Sequence, residues 1–71
     1  MNILIFKTDI ANRYHYSNAS EVLQNIPGIL KWTVDMEDVD HVLRIESLNL
    51  QPGNIEERLG QAGYYCKELD D

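Results

Sequence analysis

The sequence has a single cysteine, Cys66, among its 71 residues. It can therefore form no disulfide within itself, and no metal site can draw two thiolates from one chain. Long apolar runs are also missing, since no stretch approaches the roughly 20 apolar residues that a membrane-spanning helix needs. Residues 1–7 have no basic region and only a short apolar run, which is unlike a signal peptide, so we expect a cytoplasmic protein.

Basic residues are scarce as well: 6 Lys and Arg stand against 12 Asp and Glu, and the formal net charge is -6. Nucleic acids and anionic membranes are bound by clustered Lys and Arg, so this composition argues against both as partners. A basic protein partner remains compatible with the charge. A homodimer is a further candidate.

Catalytic motifs are absent too. The chain has no nucleophile with a plausible neighbouring base, no glycine-rich loop that could cradle a phosphate, and no HExxH metal motif. A domain of this size has room for one sheet layer and one helix layer, and it leaves little space for a closed active site. We therefore expect a binding module and not an enzyme.

Four segments have the hydrophobic pattern of β-strands. Residues 2–8 are nearly continuously apolar, as in a central strand with contacts on both faces. Residues 29–36 and 41–46 alternate apolar and polar and are separated by an acidic turn, which predicts an antiparallel hairpin with Leu30, Trp32, Val34 and Met36 on its buried face. A last short strand is predicted from Tyr64 to the C-terminus.

Two segments have the three-to-four spacing of amphipathic helices. The first can begin at Asn12 or at Asn18, both of which are good N-cap residues, and it stops before Pro27 and Gly28. The second is predicted to begin at Pro52 and to end at Gly63. The residues expected on the buried stripes are Tyr16, Ala19, Val22, Leu23 and Ile26 in the first helix, and Ile55, Leu59 and Ala62 in the second.

The order β-α-β-β-α-β predicts one α+β domain over residues 1–71, a ferredoxin-like sandwich. Right-handed crossovers place both helices on one face of a four-stranded antiparallel sheet with strand order 4-1-3-2. The other face then stays open. Ile3, Ile5 and Val42 are expected on that face, where a contiguous apolar patch would be a candidate site of association.

Four short motifs resemble the heavy-metal-associated domain, which is the fold of small copper chaperones and of modules in metal-pumping ATPases. Residues 26–29 read Ile-Pro-Gly-Ile, residues 32–35 read Trp-Thr-Val-Asp, and residues 62–64 read Ala-Gly-Tyr, each in the place that the family pattern requires. Residues 6–10, Phe-Lys-Thr-Asp-Ile, are similar to the segment before the metal loop of bacterial members. The resemblance covers nearly the whole chain.

The sequence departs from the family at the metal ligands. The resemblance implies two cysteines at positions 12 and 15, where this chain has Asn12 and His15. Thiolates select Cu(I) by their softness, and an asparagine amide offers neither charge nor softness. The prediction is a metallochaperone-like module that has lost its two-cysteine Cu(I) site and needs no cofactor.

Two alternatives remain open at this point. His15, with Cys66 or a ligand from a second chain, could bind Cu, Ni or Zn, because imidazole is a ligand for all three metals. A weaker alternative is a dimeric regulatory domain that binds a small ligand between two sheets.

The remaining residues of interest surround position 15. Asn12 is interpreted as a helix cap, and Tyr16 as a core residue. Tyr64 matches the family's tyrosine beside the metal loop. Asn12, Arg13, Tyr14 and Tyr64 together form a candidate recognition surface, since Arg and Tyr are enriched at protein interfaces.

Overall fold

A computed structural model of the protein describes residues 1–69. Its elements follow the predicted order: β1 (Asn2–Thr8), α1 (Arg13–Gln24), β2 (Ile29–Val34), β3 (Leu43–Ser47), α2 (Pro52–Gln61) and β4 (Cys66–Glu68). The predicted last strand is shorter than expected, because Tyr64 and Tyr65 precede it, and residues 70–71 lie outside the described part of the chain.

The four strands form one antiparallel sheet in the order β2-β3-β1-β4, which confirms the predicted order. The central strand β1 pairs with β3 through Leu4 opposite Ile45 and with β4 through Thr8 opposite Cys66. The hairpin of β2 and β3 is also confirmed, with Trp32 opposite Ile45. This leaves β2 and β4 as the edge strands.

The core lies between the sheet and the two helices. Alternate residues of β1 and β3 meet the buried stripes of α1 and α2, as a half-buried sheet requires. The buried apolar residues are Leu4, Phe6, Ile10, Ala19, Leu23, Ile26, Leu43, Ile45, Ile55 and Leu59. Both helices therefore cover the same face of the sheet.

The helix ends follow the capping rules. Asn12 is the N-cap of α1, and Asn18 lies inside that helix, which settles the two predicted starts. Pro52 is the first residue of α2, as predicted. Gly28 and Gly63 have φ values of +98° and +93°, which glycine adopts without the steric cost of a Cβ, so the chain can turn sharply after each helix.

Three predicted core positions are wrong. Tyr16 is 41% exposed and contacts Trp32 at a ring-centroid distance of 5.2 Å; since Trp32 is on edge strand β2, only one side of Tyr16 is covered. Leu30 is exposed because the pairing register shifts between Ile29 and Lys31, which turns Ile29 toward the core instead. Ala62 is exposed because α2 ends one residue before it.

No helix within residues 1–69 is long and apolar enough to cross a membrane.

Candidate functional site

The candidate site is the helix-entry loop, residues 9–12, which joins β1 to α1. Two hydrogen bonds join Asp9 to Tyr65: the Tyr65 N–H donates to Asp9 Oδ1 at 2.9 Å, and the Asp9 N–H donates to the Tyr65 carbonyl at 3.3 Å. At the base of the loop, the Thr8 hydroxyl donates to the His41 carbonyl at 2.6 Å and accepts from the Ile10 N–H at 3.2 Å. The helix-entry loop is thus fixed on both sides by the protein itself.

The side chains of Asn12 and His15 both accept hydrogen bonds from the backbone at the start of α1. The His15 N–H donates to Asn12 Oδ1 at 2.9 Å, and the Ala11 N–H donates to His15 Nδ1 at 3.1 Å. The first bond satisfies a backbone donor that a helix start leaves without a partner. The second is similar to the back-reaching bond of a capping box, but its donor is Ala11, one residue before the N-cap. The two positions at which the family resemblance implies metal ligands therefore hold a helix cap.

This geometry limits His15 as a ligand. A ring nitrogen that accepts a hydrogen bond carries no proton, so a neutral imidazole that accepts at Nδ1 has its proton on Nε2. Neither nitrogen then has a free lone pair for a metal. Coordination through His15 requires the loss of the bond from Ala11 or a shift of the ring proton.

Tyr64 packs beside His15. The two rings meet edge to face, with centroids 5.5 Å apart and an interplanar angle of 67°. Tyr64 also packs against the core, and its N–H donates to the Leu59 carbonyl at 3.0 Å. The structure thus brings Asn12, His15 and Tyr64 together, and Tyr64 restricts the orientation of the imidazole.

Cys66 lies in a different layer of the domain. It pairs with the buried Thr8 and packs against the core on the helix side of the sheet. Burial, reinforced by the negative charges of Glu56 and Asp9, raises the pKa of its thiol to about 12. Cys66 is therefore a neutral thiol at pH 7, whereas the soft-metal ligand is the thiolate.

Arg13 and Tyr14 are exposed on the first turn of α1, Tyr14 by 82%. They extend from a helix start that hydrogen bonds hold in place, so their backbone is already ordered. Within residues 1–69, no three His, Cys, Asp or Glu side chains lie close enough to hold a metal ion.

Two contacts of this site escape prediction from the sequence. No pattern singles out Asp9 as the partner of Tyr65, because the two residues are 56 positions apart. The bond from Ala11 to His15 is closer to a recognisable signal, since a good N-cap residue followed three positions later by a side-chain acceptor is the sequence signature of a capping box.

We expect that Asn12→Ala lowers the free energy of unfolding by about 1 kcal/mol, because an N-cap bond is lost. His15→Ala should cost a smaller amount, because it removes the bond from Ala11 and keeps the backbone N–H of residue 15 that Asn12 accepts from. Urea denaturation of both single variants measures this. Asn18→Ala is the control, since Asn18 is exposed inside the helix and should change stability little. A loss in Asn18→Ala as large as that in Asn12→Ala would contradict the cap.

No protein-family profile and no curated protein sequence matches the chain. Solved structures do match in fold. The yeast copper transporter domain Ccc2a, solved in apo and Cu(I)-loaded states, superimposes with a TM-score of 0.84 at 16% identity, covering 100% of this chain and 99% of that one. The N-terminal domain of PacS from Synechocystis PCC6803 gives 0.81 at 13% identity, covering 99% and 100%.

A third similar structure is the Cu(I)-loaded first domain of the human copper chaperone for SOD1, CCS, with a TM-score of 0.78 at 17% identity and coverage of 93% and 89%. At such identities the likeness establishes architecture, and the sequence resemblance described above agrees with it. The single cysteine of this chain agrees with a missing two-cysteine motif. The chain has the ferredoxin-like fold of the heavy-metal-associated domains.

Proposed function

We propose that this chain is a non-enzymatic interaction module, built on a metallochaperone-like scaffold, that does not use its helix-entry loop to bind Cu(I). The observation that carries the proposal is that the side chains of Asn12 and His15 both accept hydrogen bonds from the backbone. In a two-cysteine loop the ligands are free to hold an ion. Here the side chains at both positions are engaged with the backbone of the loop.

The proposal assigns recognition to the surface around the same loop. Arg13 and Tyr14 are exposed, and Asn12 and Tyr64 support the backbone that presents them. Arg and Tyr are enriched among the residues that contribute most to binding energy, and a pre-ordered surface loses less entropy on association. Similar structures include domains of a copper transporter and a copper chaperone, so a partner in metal handling is consistent with the proposal.

The alternative in which His15 and Cys66 share a Cu, Ni or Zn ion requires two changes. The Ala11–His15 bond must break, and the Cys66 thiol, with a pKa of about 12, must ionise away from solvent. Each change makes the free energy of metal binding less favourable. The alternative that places a small ligand between two sheets depends on a dimer, and the charge of the sheet face, described below, opposes it.

We expect no tight metal binding. In titrations with Cu(I), Zn(II) and Ni(II), amide NMR signals of residues 9–16 and 63–66 should stay in place at equimolar metal. A Cys66→Ala variant is the matched control, because any residual thiol chemistry disappears with it. Stoichiometric binding with shifts in these two segments would refute the proposal, and persistence of those shifts in Cys66→Ala would assign the site to His15.

A further inference from the structure

The side of the sheet opposite the helices, here called the outer face, is not covered by any element within residues 1–69. Strand alternation places on it the residues that lie between the buried ones. They are Ile3, Ile5 and Lys7 of β1, Lys31 and Thr33 of β2, Arg44 and Glu46 of β3, and Lys67 of β4, with Val42 and Leu69 continuing the pattern.

The outer face has the opposite charge from the rest of the protein. It carries four of the six basic residues and two acidic residues, Glu46 and, by the same alternation, Asp35 opposite Val42, a net of +2 in a chain of net charge -6. The remainder of the chain therefore carries -8. Lys7 and Lys67 stand directly opposite each other on β1 and β4, an arrangement of like charges that destabilises a sheet.

Few acidic groups neutralise these bases. Asp40 at the rim pairs with Lys7 at 3.3 Å, with both side chains well exposed, and such a pair is weak. Asp35 is engaged as acceptor for the backbone N–H groups of Glu37 and Asp38. For Lys31, Arg44 and Lys67, no ion-pair partner lies within residues 1–69.

Basic side chains surround an apolar centre. Ile3 lies level with Lys31, on the far side of Glu46, and Ile5 lies between that level and Lys7. Lys31 and Lys7 are about 13 Å apart along the strands and, since β3 lies between β2 and β1, about 10 Å apart across them. A shallow depression of about 190 Å³ beside this centre is lined in part by Lys31, Arg44 and Glu46. An extended peptide that crosses the strands obliquely can place carboxylates near both lysines, whose side chains are long and flexible, with an apolar residue between them.

Two other occupants fit less well. A symmetric dimer through this face would bring two surfaces of net charge +2 together, which is unfavourable. Single-stranded nucleic acid binds open sheets by stacking its bases on aromatic side chains, and the outer face has none, since Phe6 and Trp32 face the core.

We propose that the outer face is a docking surface for an acidic protein segment, one in which two carboxylates flank an apolar residue. The carboxylates contact the lysines at the two ends and Arg44, and the apolar side chain covers Ile3 and Ile5. This surface is separate from the helix-entry loop, so the two can be tested independently.

The test is NMR titration of the isotope-labelled protein, at low ionic strength, with an unlabelled peptide of two repeats of Glu-Ser-Val-Ser-Glu, and with the same peptide carrying Gln for each Glu. We expect the acidic peptide to shift amide signals of all four strands and to leave residues 11–15 in place. Its affinity should fall steeply with added salt, because the contacts are between exposed charges. The neutral peptide should bind more weakly.

Two charge-reversal variants distinguish a local contact on the outer face from an effect of the net charge of the protein. Arg44→Glu should weaken the acidic peptide about fivefold, whereas Arg58→Glu, with the same change in net charge on the exposed side of α2, should change it less than about twofold. Melting curves verify that both variants fold. Three results would overturn the proposal: equal weakening by both variants, no amide shifts on the outer face, and tighter binding of a single-stranded oligonucleotide than of the acidic peptide. A dimer seen in sedimentation that Arg44→Glu dissociates would also overturn it, because it would assign the face to self-association.

Discussion

The double substitution Asn12→Cys/His15→Cys is expected to create a two-thiolate Cu(I) site in this chain. The scaffold places both positions at the start of α1, and a domain of the same fold has been solved in a Cu(I)-loaded state. Two thiolates supply the soft ligands that Cu(I) prefers, and the positive end of the helix dipole lowers their pKa values. We expect stoichiometric Cu(I) binding at micromolar concentration, measured by competition with a Cu(I) chelator.

The same variant should be less stable without metal. It loses both bonds of the cap, at a cost of about 1–2 kcal/mol, and regains stability when Cu(I) binds, because a ligand that binds only the folded state stabilises it. Thermal melting with and without Cu(I) measures both effects. A variant that binds Cu(I) without any loss of apo stability would show that the Asn12–His15 pair contributes nothing.

Two controls test whether the new Cu(I) site depends on the helix-entry loop. The substitution is made together with Cys66→Ala, so that the only thiols are the new ones. Arg58→Cys/Gln61→Cys gives the same spacing at the other end of a helix, where the dipole is unfavourable for thiolates, and should bind Cu(I) more weakly. Equal affinity in the two variants would show that any exposed pair of thiols suffices and that the helix-entry loop confers no advantage.

The fold is predictable from the sequence because its signals are local and mutually consistent. Alternation in β2 and β3, four consecutive apolar residues in β1, and a proline or glycine at three of the four helix boundaries all indicate the same topology. Sheet order then follows from the handedness of the crossovers, and the structure confirms it.

The wrong core predictions concern residues whose spacing along the chain is regular but which lie over the edge of the sheet or next to a bulge. Tyr16 has the spacing of a core residue, but it lies over edge strand β2, and helical spacing carries no information about where the sheet below ends. Leu30 has the alternation of a core residue, but a bulge reverses the side chains around it. Such features depend on tertiary placement, which a pattern along the chain does not contain.

The candidate site is only partly predictable for a related reason. Asn12 is interpreted correctly as a cap from its residue type and position. The hydrogen bond from Ala11 to His15 depends on the direction in which the His15 ring points. Tyr64, which lies near the other end of the chain, contacts that ring. The basic outer face is hidden in the same way, since its three lysines and one arginine lie on four different strands and meet only after folding.

Substitution of two isoleucines, one on each face of the sheet, tests whether only one face is buried. Ile45 on β3 is fully buried beneath the helices, whereas Ile3 on the neighbouring strand β1 points to the outer face and is 41% exposed. Ile45→Ala should lower the free energy of unfolding by about 2–5 kcal/mol, through lost burial and the cavity that remains. Ile3→Ala should cost less than about 1 kcal/mol, because little of its surface is withdrawn from water.

The loss at Ile45 is large for a protein of this size. Native domains have about 0.05–0.15 kcal/mol of stability per residue, which for 71 residues is about 4–11 kcal/mol, so Ile45→Ala removes a major part of it. Urea denaturation followed by circular dichroism gives both values, and an unchanged dependence on urea concentration verifies that the same transition is compared. If Ile3→Ala costs as much as Ile45→Ala, the outer face is buried in solution, and the protein is then an assembly of at least two chains and not a domain with one open sheet face.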